Sequence, residues 1–154
     1  GFALLFATVA ALMVFFIAPI CAGSGLPEAK GYLNGNHIPG MFMKRNFLVR
    51  VFGVVLATAS GFPVGREGPM VCIGGCIGIA VVDVLAAPYV TEWVKLDQKS
   101  DMAALVLYER RFAAAKRVGC VLGAAAGIAV AFNAPVGAIL YMFEEVTVNG
   151  WPSE

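Results

Sequence analysis

Residues 61–82, GFPVGREGPMVCIGGCIGIAVV, set two charged side chains, Arg66 and Glu67, directly before an apolar run that carries no further charge until Asp83. Gly65 and Gly68 flank the pair, so the backbone is free to bend there and to let a ligand approach closely. Proline is favoured in the first turn of a helix, so Gly-Arg-Glu-Gly-Pro reads as a bend followed by a helix with Pro69 at its first position. The start of such a helix presents unpaired N–H groups and about half a positive charge. Glu67 lies beside that start, which makes the stretch an anion site with an anionic side chain already in it. A merely solvated Arg-Glu turn needs no glycine on both sides and usually carries more polar residues than these two.

The surrounding chain places this bend in a bilayer. Of 154 residues, 60% are hydrophobic and 14% charged, with a mean hydropathy of +0.82, whereas soluble domains carry about 25% charged residues. Residues 1–27 and 118–143 contain no charged side chain, and each run is long enough for the roughly 20 helical residues that cross the hydrocarbon core. Residues 47–65 carry only Arg50 and residues 68–82 none, while nearly half of all charges gather between Glu92 and Arg117. That segment is therefore expected to be the main water-exposed connection. A net charge of +1 offers no basic footprint for nucleic acid. The chain opens at Gly1 inside an apolar run, without an initiator Met or basic n-region, which reads as an excerpt from a longer protein.

In chain order, residues 1 to about 20 form a first transmembrane helix that Pro19 ends. Gly23-Ser24-Gly25-Leu26-Pro27-Glu28 is a second bend, followed by a short helix started by Pro27; Ser24 offers a hydroxyl donor beside glycine N–H groups. Its GxG lacks the third glycine of a dinucleotide fingerprint. A turn-rich loop, Asn34 to Gly40, holds the sole histidine, His37, which reads as a solvated residue. Residues 46–60 form the next helix, interrupted by Arg50, which either snorkels outward or adds positive potential to a buried anion path. A helix over 69 to about 87 follows, with Gly74 and Gly78 as a small-residue face. After the polar stretch and residues 105–117, Gly119, Gly123, Gly127 and Ala131 recur every four residues as a packing stripe. The pattern breaks at Phe132-Asn133-Ala134-Pro135, giving two pieces, 118–132 and 135–146, each shorter than a full span. Glu144 and Glu145 close the second piece: either the helix leaves the membrane there, or one acid turns inward as a proton site. Cys21, Cys72, Cys76 and Cys120 all lie in apolar runs, which favours small buried hydrophobes over a disulfide framework or a metal site.

The expected fold is thus all-α and integral to the membrane, a multi-pass bundle with broken, partly spanning helices. Three times, at Pro27, Pro69 and Pro135, a small-residue bend precedes a proline-started helix. Broken helices whose N-termini meet near the midplane let a transporter hold an anion without burying a full positive charge. Many weak N–H and hydroxyl donors suit a halide, because they strip its water yet let it leave. A rival class is an intramembrane serine hydrolase with Ala22-Gly23-Ser24-Gly25 as its nucleophile loop, but it lacks an acid to orient His37 as the base.

Taken together, Gly23-Ser24-Gly25-Leu26-Pro27-Glu28, Gly65-Arg66-Glu67-Gly68-Pro69 and Gly123-Ala124-Ala125-Ala126-Gly127 leading into Ala131-Phe132-Asn133-Ala134-Pro135 resemble the CLC family of chloride channels and chloride/proton exchangers. The resemblance covers nearly the whole chain. It implies chloride binding by Gly23, Ser24, Gly25, Leu26 and Pro27 with Arg66, Glu67 and Gly68, the Ser24 hydroxyl donating to the central chloride. It makes Glu67 the gating glutamate that competes with chloride, and Glu145 the acid at a position that is glutamate in exchangers and commonly valine in channels. The implied function is chloride/proton antiport, with a passive chloride channel as the alternative, in a voltage-gated-type family. No cofactor and no enzymatic activity are implied. The implied partners are chloride, protons, membrane lipid and a second copy, one pathway per subunit, and the whole of 1–154 would be the first of two inverted repeats.

Overall fold

The computed structural model describes residues 1–36, 38–97 and 102–146, with the side chains of 87–97, 102–105, 107–108 and 145–146 outside that description. Every described element is helical: α1 (Phe2–Ile17), a 3-10 turn (Pro19–Ala22), α2 (Leu26–Leu33), α3 (Lys44–Ala59), α4 (Glu67–Asp97), α5 (Met102–Phe132), α6 (Pro135–Tyr141) and a π-turn (Met142–Val146).

Proline governs where the apolar runs break. Ala18 precedes Pro19 and leaves the helical region at φ −147° and ψ 78°, since a following proline ring disfavours the α conformation. The first apolar helix, α1, therefore closes at Ile17, just before Pro19 as the sequence predicts. The run 118–143 is interrupted in the same way. Asn133 adopts a left-handed φ of 53°, which asparagine tolerates at a helix end, and the Ala134 N–H reaches back to the Ala129 carbonyl at 3.3 Å in the bonding of a Schellman cap. Pro135 then starts α6.

Other boundaries differ from expectation. Helix α4 starts at Glu67 and α2 at Leu26, so Pro69 and Pro27 sit inside the first turn, where a missing N–H is still harmless because those donors have no helical partner anyway. Residues 118–132 are not a separate piece but the end of the continuous α5. Most of the polar stretch 92–117 is helical too, because charge changes which solvent suits a helix without breaking its backbone bonds. Lys116 of α5 pairs with Asp83 of α4 at 2.9 Å and lies 4.5 Å over the Phe112 ring.

Helices α4 and α5 cross in backbone contact. A Cβ added to Gly74 would strike the Gly123 carbonyl, one on Gly78 the Gly119 carbonyl, and one on Gly127 the Met70 carbonyl. The stripe of small residues is a packing seam, which lets dispersion and close approach hold two helices that lipid does not drive together. Around it, Val71, Cys72, Val121, Ala124 and Ile128 share a core with Ala29 of α2 and with Ala138 and Met142 at the far end of the chain. Stretches of α4 (Glu67–Ala86) and α5 (Glu109–Phe132) are long and apolar enough to cross a membrane. Helix α1 packs on α3 and turns Phe2, Phe15 and Phe16 outward, an apolar face suited to lipid or to further membrane helices.

Candidate functional site

The bend before α2 is held by its neighbours. Gly25 is buried and left-handed at φ +81°, and an added Cβ would collide with the Arg50 guanidinium and the Cys72 sulfur, so only glycine fits both the backbone and the space. The Cys72 thiol donates to the Gly25 carbonyl at 3.2 Å. Arg50 donates to the carbonyls of Gly23 and Ile20 at 3.1 and 3.4 Å. These carbonyls lie at the end of the 3-10 turn, where acceptors are unpaired and a cation is favoured. Arg50 thus turns inward rather than snorkelling out, and its charge stands beside the Ser24 bend. The Ser24 oxygen accepts the Leu26 N–H at 3.4 Å, which leaves the hydroxyl proton free to donate.

This bend meets the start of α4. A Cβ built on Gly68 would lie 2.7 Å from the Ser24 Cβ and 3.2 Å from both Ser24 oxygens. Two motifs more than forty residues apart in sequence therefore touch through a glycine, which is what lets them approach. The first helical bond of α4 runs from the Met70 N–H to the Arg66 carbonyl at 3.0 Å. The N–H groups of Glu67 and Gly68 precede it and have no intrahelical partner. Glu67 is exposed, with its Oε2 folded back to 2.5 Å from where a Gly65 Cβ would stand.

Two cavities border the contact. One of about 700 Å³ is lined by Gly23, Ser24, Arg50, Gly65 and Pro69 among others. The other, of about 410 Å³, is lined by Leu26, Glu67 and Gly68 together with Phe132, Ala138 and Tyr141 from the α5–α6 end. Gly23 and Ser24 thus line one cavity and Leu26, Glu67 and Gly68 the other, while Gly25 is buried between Arg50 and Cys72 and lines neither. Pro27 and Arg66 are exposed and line neither cavity. Glu145 belongs to the π-turn by its backbone, while its side chain and all of His37 lie outside the described residues.

Sequence reasoning did not single out Cys72 and Tyr141 as neighbours of the bends. A thiol in an apolar helix carries no directional signal in sequence. Arg50 did carry one, since an arginine in an apolar run must find acceptors, and the spare carbonyls at a helix end are the nearest supply.

The family model described as "Voltage gated chloride channel" matches residues 6–153, and the chain belongs to that family, the CLC proteins, which are integral to the membrane. It is 41% identical over 146 residues to chloride channel protein CLC-c of Arabidopsis thaliana, covering 94% of this chain and 17% of that protein. It is 36% identical over 140 residues to the human H(+)/Cl(-) exchange transporter 7, covering 91% of this chain and 16% of the relative. Chloride channel protein A of Dictyostelium discoideum is 35% identical over 144 residues, at 94% and 15% coverage. The chain spans less than a fifth of the length of these relatives.

Proposed function

We propose that the full-length protein exchanges chloride for protons across a membrane, and that these residues are the first inverted repeat of its membrane domain. The observation that carries the reading is the contact of Ser24 with Gly68, which sets a free hydroxyl proton against the unpaired N–H groups at the start of α4, one residue from Glu67. Chloride takes the donors of Gly23, Ser24, Gly25 and Leu26 on one side, where Pro27 shapes the helix start without an N–H of its own, and of Arg66, Glu67 and Gly68 on the other. Such donors are neutral dipoles apart from Arg66, so binding stays weak enough for release. Arg50 adds positive potential from behind the bend.

Glu67 is the gate. Its carboxylate is an anion competing for the same donors as chloride, and protonation neutralises it and frees them. Exchange follows if the proton reaches Glu67 from the side opposite to the one on which chloride enters. Glu145 is the acid that takes up that proton, at the end of the segment whose residues Ala138 and Tyr141 border the Glu67 cavity. Support for exchange over a passive channel comes from Glu145 and from a relative named as an H(+)/Cl(-) exchange transporter. The protein sits in lipid and works as a homodimer with one pathway per subunit.

The test is flux in liposomes loaded with the full-length protein. Glu145→Ala abolishes proton transport and leaves chloride transport running, whereas Glu144→Ala has the smaller effect. Proton coupling that survives Glu145→Ala moves the proton site elsewhere, and a wild-type protein that passes chloride alone is a channel.

A further inference from the structure

The cavity of about 410 Å³ beside Glu67 is lined mostly by hydrocarbon, including Leu26, Val71, Ile128 and Phe132. Buried water is held where it finds roughly two to four polar partners, and such walls supply few. Glu67 is one of them. Among the described residues lining the cavity, Tyr141 carries the only side-chain hydroxyl. It is half-buried and ends α6, and the π-turn Met142–Val146 that follows places Glu145 one turn further along the backbone. Tyr141 is thus the polar group that separates the Glu145 turn, along the chain, from the Glu67 carboxylate, across the cavity.

We propose that Tyr141 is a proton-relay residue, its phenol anchoring water in this cavity and passing protons between the Glu145 side and Glu67. In one passage the Tyr141 oxygen gains a proton from a protonated water as its own O–H proton goes, directly or through a second water, to the Glu67 carboxylate. One O–H bond forms for each that breaks, the phenol is neutral before and after, and no oxidant or reductant is involved. This rests on the exchange reading above and adds to it a residue on the path.

The experiment measures chloride and proton flux together for the full-length protein in liposomes. Tyr141→Phe keeps the ring and removes the oxygen. Proton flux is expected to fall by about a hundredfold or more, the range that a positioned acid–base group contributes, while chloride flux stays near wild type, so fewer protons move per chloride. Tyr141→Leu, which also loses the ring, is expected to lower coupling to the same extent. Normal coupling in Tyr141→Phe with damage only in Tyr141→Leu means that the ring merely packs, and overturns the relay. Unchanged coupling in Tyr141→Phe while Glu145→Ala uncouples transport overturns the relay and leaves exchange standing. A wild-type protein without proton flux overturns both.

Discussion

The α4–α5 seam and the Ser24–Gly68 contact are both built on glycine, yet they do opposite things with it. In the seam, Gly74 and Gly78 face Gly123 and Gly119 within continuous helices, so every backbone polar group there is already bonded and close approach yields only packing. At the Ser24–Gly68 contact the glycine lies in the first turn of α4, where the N–H groups have no partner. Close approach there sets unspent donors beside a hydroxyl. The lesson is that a glycine's meaning depends on whether its neighbours' backbone bonds are already made. The seam packs two helices together, and the bends leave donors over for a ligand.

Substitutions in the two regions should therefore separate stability from transport. Gly123→Val drives a branched side chain into the Gly74 carbonyl, which belongs to backbone that cannot swing aside. The full-length protein should lose about 3 kcal/mol, the upper end for overpacking, read as a large fall in thermal midpoint and aggregation on size-exclusion in detergent. Gly68→Ala should have the intermediate effect. Its methyl group meets Ser24, including the backbone oxygen, so the bend must move away from α4. Chloride binding should weaken by about tenfold, as expected when a hydrogen bond to a charged group is lost, with the thermal midpoint close to wild type. If Gly68→Ala unfolds the protein as Gly123→Val does, the two contacts are alike and the contrast collapses. The smallest change is expected from Ser24→Pro, which deletes one hydroxyl. It should narrow the preference for chloride over nitrate, measured as relative permeability, while leaving total anion flux and stability near wild type; an unchanged preference would remove Ser24 from the chloride site.

Much of this was legible in the sequence because proline and glycine act locally. The break at Asn133-Ala134-Pro135, the bend at Gly23-Ser24-Gly25 and the stripe Gly119, Gly123, Gly127 each follow from one residue's backbone limits or from helical spacing. What sequence misjudged depended on partners or on length. Charge between Glu92 and Arg117 pointed to a water-exposed connection without giving its conformation, and most of that stretch continues α4 and α5, since a helix needs no change of backbone to pass from lipid to water. Residues 118–132 read as a piece separate from 105–117, whereas α5 runs unbroken from Met102 to Phe132. The thiol bond from Cys72 and the shared wall of Glu67 and Tyr141 are long-range facts that no local pattern encodes.

The most direct test of the claim that Glu67 gates a site shared by chloride and protons is the reversal potential of the full-length protein under combined chloride and pH gradients. In the wild type, a pH gradient imposed at fixed chloride should move the reversal potential away from the chloride equilibrium value. In Glu67→Ala the potential should return to the chloride value at every pH gradient, with anion current still flowing. A Glu67→Ala protein that reaches the membrane yet carries no anion current, or that still follows the pH gradient, would contradict the account.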